Sequence, residues 1–224
     1  MPMKRIVAII AGLLCLAALQ AQEVPSHDWA NFGRYEKADA AVTARPKAVL
    51  MGDSITDGWY AHDQEFFSAN GFVGRGISGQ VTAQMLVRFR RDVIDLKPKY
   101  VVILAGINDI ARNDGYISIE NTFGNIVSMC ELARANKIKP VLCTLLPSYR
   151  FPWRPAIKDV REQVESLNSM IREYARRNRI KLVDYAPLLA DGEGNTRKDL
   201  SGDSVHPNLD GYKIMEEALL KVLK

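Results

Sequence analysis

Apolar and polar residues follow one another along this chain in blocks. Short strand-like runs fall at Ala48 to Met51, Phe72 to Arg75, Tyr100 to Ala105, Pro140 to Leu145 and Ile180 to Asp184. Between them apolar positions recur at three- and four-residue steps, as at Val160, Val164, Leu167, Ile171 and Tyr174, which share one face of a helix. Helices are predicted near Asp63 to Ala69, Val81 to Arg91, Ile119 to Ala135, Ile157 to Arg177 and Leu209 to Leu223. An earlier one, capped by Ser26, is predicted from about Asp28 to Val42, with Trp29, Phe32 and Tyr35 as its apolar side. Continuously apolar strands that alternate with helices predict a parallel sheet covered on both sides. In such a fold ligands bind beyond the carboxyl ends of the strands, so the loops that follow strands are the places to look for chemistry.

The first 21 residues have a different pattern. Lys4 and Arg5 precede an apolar run from Ile6 to Leu19, and the chain turns small and polar through Ala21 and Gln22, the layout of a secretory signal peptide. The run is short for a bilayer span. Cys15 is a candidate lipoprotein cysteine, although bulky Leu13 and Leu14 precede it. Residues 22–224 are long enough for one buried core and short for two, so a single domain is expected.

Composition narrows the class further. With 47% hydrophobic and 25% charged residues the chain is neither disordered nor fibrous. Without the leader, 28 basic residues face 26 acidic ones, a net charge of +2. Arg88-Phe89-Arg90-Arg91 and Arg176-Arg177-Asn178-Arg179 fall at predicted helix ends and read as solvated cations suited to the helix dipole, not as a nucleic-acid surface. Cys130 and Cys143 read as small core residues, with a disulfide between them left open, and no cysteine spacing suggests a metal.

Ser54 lies in V-L-M-G-D-S-I-T-D-G-W, where a buried strand gives way to a turn at Gly52. A serine hydroxyl is a poor nucleophile unless a base lies within hydrogen-bond reach and donors await the developing oxyanion. Of the three histidines, His27 and His62 have no obvious orienting acid, whereas His206 follows Asp203 by three residues. That spacing lets a carboxylate hold Nδ1 and leave Nε2 as base toward Ser54. Candidate oxyanion donors, on loops after the first three strands, are the Ser54 N–H, the Gly79 N–H and the Asn108 side-chain amide.

These blocks resemble the GDSL or SGNH hydrolase family: Gly52-Asp53-Ser54, Gly79 in G-I-S-G-Q, Asn108 in A-G-I-N-D, and Asp203-x-x-His206. Order and spacing also match from Val49 to Leu223, with Ile55 where a leucine often follows the serine. The resemblance implies a three-layer α/β/α, flavodoxin-like fold on a five-stranded parallel sheet. It implies a triad of Ser54, His206 and Asp203, and an oxyanion site of Ser54, Gly79 and Asn108. It also implies an ester hydrolase working through an acyl-enzyme, without metal or cofactor.

Three other readings compete. Gly202-Asp203-Ser204 repeats the tripeptide but follows polar residues, so Ser204 lacks a strand to present it. Gly74-Arg75-Gly76-Ile77-Ser78-Gly79 satisfies a dinucleotide-binding pattern, but it follows the second strand and lacks the acidic residue that holds a ribose. Asp53 and Asp57 are a carboxylate pair for glycoside hydrolysis, with Asp57 read rather as stabilising the turn. For substrate, Asp53, Trp59 and Trp153 are candidate contacts, and Tyr60, Tyr149 and Phe151 are further aromatics near the site. The expected substrate is a small-molecule or carbohydrate ester with a short acyl group, the alternative being a lysophospholipid or thioester with a longer one. No nucleic acid and no lasting membrane anchor are expected, and the destination is the periplasm or the exterior.

Overall fold

The computed structural model describes residues 28–224, so the proposed leader, Ser26 and His27 lie outside the described residues. Five parallel strands, β1 (Ala48–Gly52), β2 (Phe72–Gly76), β3 (Tyr100–Leu104), β4 (Lys139–Cys143) and β5 (Lys181–Val183), form one sheet in the order β2-β1-β3-β4-β5. β1 and β3 are buried along their whole length, as strands covered on both faces must be. Gly52 pairs with Gly76 on one side and Leu104 on the other, so the carboxyl ends of three neighbouring strands finish level. The chain passes from β1 to β2 and then returns to the far side of β1, which makes the β1/β3 junction the switch point where such sheets bind ligands.

A helix α1 (Glu36–Ala40) precedes the sheet, and α2 (Ser54–His62) and α3 (Gln64–Ala69) follow β1. After β2 comes α4 (Thr82–Phe89), which runs on into a wider π turn over Arg90–Ile94. The short α5 (Ile107–Ile110) follows β3, and α6 (Ile119–Ala135), α7 (Val160–Asn178), α8 (Ala186–Leu189) and α9 (Leu209–Val222) complete the chain. α4, α6 and α7 pack side by side on one face of the sheet, while α2 and α3 cover β2 and α9 covers β5. The architecture is the three-layer α/β/α arrangement expected.

Two of the expected helices differ from the sequence reading, and α2, α5 and α8 are not among the helices it predicts. The helix expected over Asp28 to Val42 is only a 3-10 turn at Phe32–Tyr35 followed by α1. Asn31 stands in left-handed backbone before it, and Trp29 and Phe32 remain exposed. Polar bonds hold this segment instead: Gln80 Nε2 donates to the Ala30 carbonyl, Gln84 Nε2 to that of Trp29, and Tyr35 Oη to that of Gly76. In addition, α7 begins at Val160, because Arg154 to Ile157 closes a turn of its own. Cys130 and Cys143 are free and buried, and burial pushes the Cys130 thiol up to about 12.

Candidate active site

Asp53 follows β1 directly and caps α2, its Oδ1 accepting from the Ile55 N–H at 3.0 Å. This places Ser54 at the first position of α2, where backbone N–H groups lack partners within the helix and the dipole favours negative charge. Gly76 permits the close fit of this turn against β2, since a Cβ there would sit 2.2 Å from the Asp57 nitrogen and 2.7 Å from the Asp53 carbonyl.

Ser54 Oγ lies 2.8 Å from His206 Nε2, and His206 Nδ1 lies 2.6 Å from Asp203 Oδ2. The other carboxylate oxygen, Asp203 Oδ1, accepts from the backbone N–H groups of Val205 and His206. Burial pushes the Asp203 carboxyl up, but the His206 N–H, the imidazole and the Val205 N–H outweigh it and hold it below its ordinary value. An ionised Asp203 fixes Nδ1–H and leaves Nε2 to accept the serine proton. The loop carrying both is pinned to the rest of the chain. Thr196 Oγ1 donates to the Pro147 and Ser204 carbonyls, and Ser204 Oγ donates to that of Arg150. Ser204 is therefore a buried tether and not a second nucleophile.

Asn108 and Gly79 flank the same switch point. Asn108 Nδ2 donates to the Gln80 carbonyl at 3.0 Å, while its Oδ1 accepts from Asn113 Nδ2 at 2.8 Å, so the amide is held at both ends with one N–H left over. Gly79 stands at φ 81°, left-handed backbone that favours glycine, with open space where a side chain would be, and its carbonyl accepts from Asn113 Nδ2 at 3.4 Å. Beneath these loops lies Arg88, 0% exposed. It donates to the carbonyls of Gly52 and Arg75, to Gln80 Oε1 and to Asp92 Oδ2. One guanidinium thus fastens the ends of β1 and β2 and, through Gln80, the partner of Asn108. Arg88 is buried and not the solvated cation that its arginine-rich run suggests. The available signal was its place in the core-facing series Val81, Met85, Arg88, with Asp92 one turn on.

Two proposed substrate contacts are elsewhere. Trp59 is 2% exposed: it stacks on Phe66 and Tyr212, and its Nε1 donates to Glu216. With Tyr212 Oη donating to the Ile55 carbonyl, it locks α2 to α9 and so keeps the serine and histidine segments in register. Asp53 is 1% exposed and meets backbone, not the cleft. Burial pushes its carboxyl up to about 7, against the Ile55 N–H and His206, and its Oδ2 has no partner. Asp57 accepts from Ser78 Oγ and pairs with Arg34, so the two aspartates do not form an opposed acid–base pair. Trp153 is 42% exposed, with its ring tilted 34° to that of His206 at 6.1 Å.

The cleft beside Ser54 and His206 has a volume of about 520 Å³. Its wall includes Arg34, Ser78, Pro207 and one face of α2: Ser54, Asp57, Gly58, Ala61 and His62. Those α2 positions follow the helical repeat from the serine, whereas Ile55, Thr56 and Trp59 turn inward. The dinucleotide-like Gly74 to Gly79 stretch serves packing here, with Arg75 buried against Asp39. The whole arrangement suits acyl transfer: a nucleophile, an oriented base, and donors at a helix start.

Comparison with known proteins places the chain in a family of ester hydrolases. Residues 50–214 match the GDSL-like Lipase/Acylhydrolase family. A solved GDSL-like lipase of Bacteroides thetaiotaomicron is 46% identical and superposes with a TM-score of 0.84 over 88% of this chain and 98% of its own. The esterase TesA of Pseudomonas aeruginosa is 26% identical over 189 residues, 79% of this chain and 87% of TesA. An uncharacterized lipoprotein of Bacillus subtilis, YqeF, is 30% identical over 141 residues, 55% of this chain, and the match spans only 58% of that protein's length.

Proposed function

The chain belongs to the GDSL-like Lipase/Acylhydrolase family of carboxylic ester hydrolases, and from that premise we propose an exported serine esterase that removes short acyl groups, acetyl foremost, from a carbohydrate alcohol. The observation that carries the reading is the relay from Ser54 Oγ through His206 to Asp203, with contacts of 2.8 and 2.6 Å.

In this reading Ser54 Oγ attacks the ester carbonyl and its proton passes to His206 Nε2. The carbonyl oxygen takes up the electron pair and is met by the N–H groups of Ser54 and Gly79 and the free N–H of Asn108. Collapse expels the alcohol, which leaves with the proton from His206, and the acyl group stays on Ser54. Water then attacks the acyl-enzyme, giving its proton to His206, and the acid departs as the serine is restored. Asp203 keeps the imidazole in register and balances its transient charge.

The substrate assignment rests on the cleft. Apart from Pro207 and Tyr212 its wall is polar or small, which suits hydroxyl groups better than a long acyl chain, and Trp153, beside His206, offers an aromatic face of the kind on which sugar rings stack. Export rests on the Met1 to Ala21 pattern and fits the lipoprotein nature of the Bacillus relative. No helix among the described residues is long and apolar enough to cross a membrane. Residues 22–224 are then the mature single domain.

The test is hydrolysis of p-nitrophenyl esters from acetate to octanoate by the mature protein, with Ser54→Ala as control. A rate that falls steeply beyond acetate, and vanishes in Ser54→Ala, is the expected result. A rate that rises with chain length transfers the assignment to lysophospholipids or thioesters, and full activity in a folded Ser54→Ala protein removes the nucleophile.

A further inference from the structure

The amino ends of the strands carry a regularity that ester chemistry does not use. Where the chain turns into β3, β4 and β5, neighbours in the sheet, it reads Lys97-Pro98-Lys99, Lys137-Ile138-Lys139 and Arg179-Ile180-Lys181. In each triplet the middle residue is buried and both cations are exposed. The first cation of each stands in left-handed backbone, at φ 51°, 60° and 54°. Glycine is the residue favoured there, so three long cationic side chains occupy positions that strain them.

The second and third triplets converge. Lys137, Lys139, Arg179 and Lys181, with Arg134, line a cleft of about 440 Å³ floored by Tyr100. No carboxylate is in its wall, and among the described residues none of these five cations forms an ion pair. Arg134 and Lys181 donate to the Asn178 and Val222 carbonyls, and Lys99 and Lys181 lie over the Tyr100 ring. A cation at a helix carboxyl end satisfies the helix dipole, which accounts for Arg134 and Arg179. It does not account for five like charges around one cavity, where their mutual repulsion has no local counter-charge.

We propose that this cleft binds a small polyvalent oxyanion, a phosphorylated or sulfated molecule with at least two acid groups. The anion supplies the counter-charge that the wall lacks, and Tyr100, Ile138 and Pro140 give the body of the ligand an apolar floor. The cleft opens at the amino ends of the strands, the opposite end of the sheet from Ser54, and shares no lining residue with the Ser54 cleft.

Titration calorimetry on the whole protein tests this, at roughly 0.1 M salt, where exposed charges are screened beyond about 10 Å. One arm uses inorganic pyrophosphate and the other fructose 1,6-bisphosphate. Saturable binding is expected, tighter for pyrophosphate if the site takes a free oxyanion and tighter for the bisphosphate if it takes a phosphorylated sugar. Lys139→Gln with Arg179→Gln is expected to weaken it about tenfold or more, while Lys158→Gln with Lys198→Gln, the same charge loss at exposed sites outside the cleft, leaves it within about twofold. Arg179→Gly relieves the left-handed backbone and is expected to melt no lower than wild type yet bind more weakly. Equal weakening in both double variants, retained affinity in Arg179→Gly, or no saturable heat from either probe at millimolar concentration overturns the site.

Discussion

On one side of Ser54 the loops after β2 and β3 are fastened by Arg88, a fully buried guanidinium bonded on every side. On the other side His206, 38% exposed, hangs on a loop of turns held by hydroxyl-to-carbonyl bonds. The difference matches the separate tasks that the proposed reaction gives the two flanks. Donors for an oxyanion act best when fixed and dry, because they then need no reorganisation as charge develops. A group that passes a proton to a leaving alcohol and accepts one from water must be reachable by both. The first flank therefore invests stability in rigidity, and the second trades it for access.

If that division is right, mutations on the two flanks should separate activity from stability. His206→Ala is expected to lower kcat by about 10⁴-fold or more while the melting temperature barely moves, since the ring is half in water. A large thermal loss would place His206 in the structural flank. Arg88→Met should do the reverse. Removing one partner of a buried ion pair strands Asp92 and two carbonyls, so about 3–5 kcal/mol of stability goes, a fall of roughly 10 °C or more, and any activity that survives should show lowered kcat with little change in KM. Arg88→Lys is not expected to rescue it, because an ammonium cannot reproduce the fork of bonds. Asn108→Ala should cost about 10²–10³ in kcat at constant KM, with a modest stability loss that marks it as belonging to both.

The smallest effect sharpens the comparison by pH. Burial raises the Asp53 carboxyl from 3.8 to about 7, so the folded state holds its proton more tightly than the unfolded chain does. Stability from this group is complete below the unfolded value and is lost as pH rises from about 4 toward 7. Asp53→Asn keeps an oxygen for the Ile55 N–H and removes the titration. Its melting temperature should match wild type near pH 4 and exceed it by a few degrees at pH 7; a constant offset would show that Asp53 does not titrate in this range.

The sheet was legible because continuous apolar runs are a strong signal and strands buried on both faces produce little else. The Ser54, His206 and Asp203 positions were legible because each combines an unusual local spacing with a place after a strand. α2 was not. Gly58 and the polar residues around it weaken its period, and its stability comes from α9, through Trp59 on Tyr212 and Tyr212 to the Ile55 carbonyl. Without the helix, nearness in sequence suggested that Trp59 meets substrate. With it, five residues amount to about 140° of rotation, which turns the indole away from the serine face. Arg88 escaped for a related reason: a run of arginines shows its charge at once, but which one points inward depends on helical phase and on a partner strand.

The bond between Ser54 and His206 joins residues 152 apart in the chain. Everything that makes the serine hydroxyl a nucleophile arrives after the serine itself, and the lock that holds the pair in place, from Tyr212 and Glu216, arrives later still. A chain emerging from the ribosome therefore carries its attacking group long before it can use it. Until the later segments fold against it, the hydroxyl has no base and stays inert toward esters. Timing of activity is written into the order of the segments.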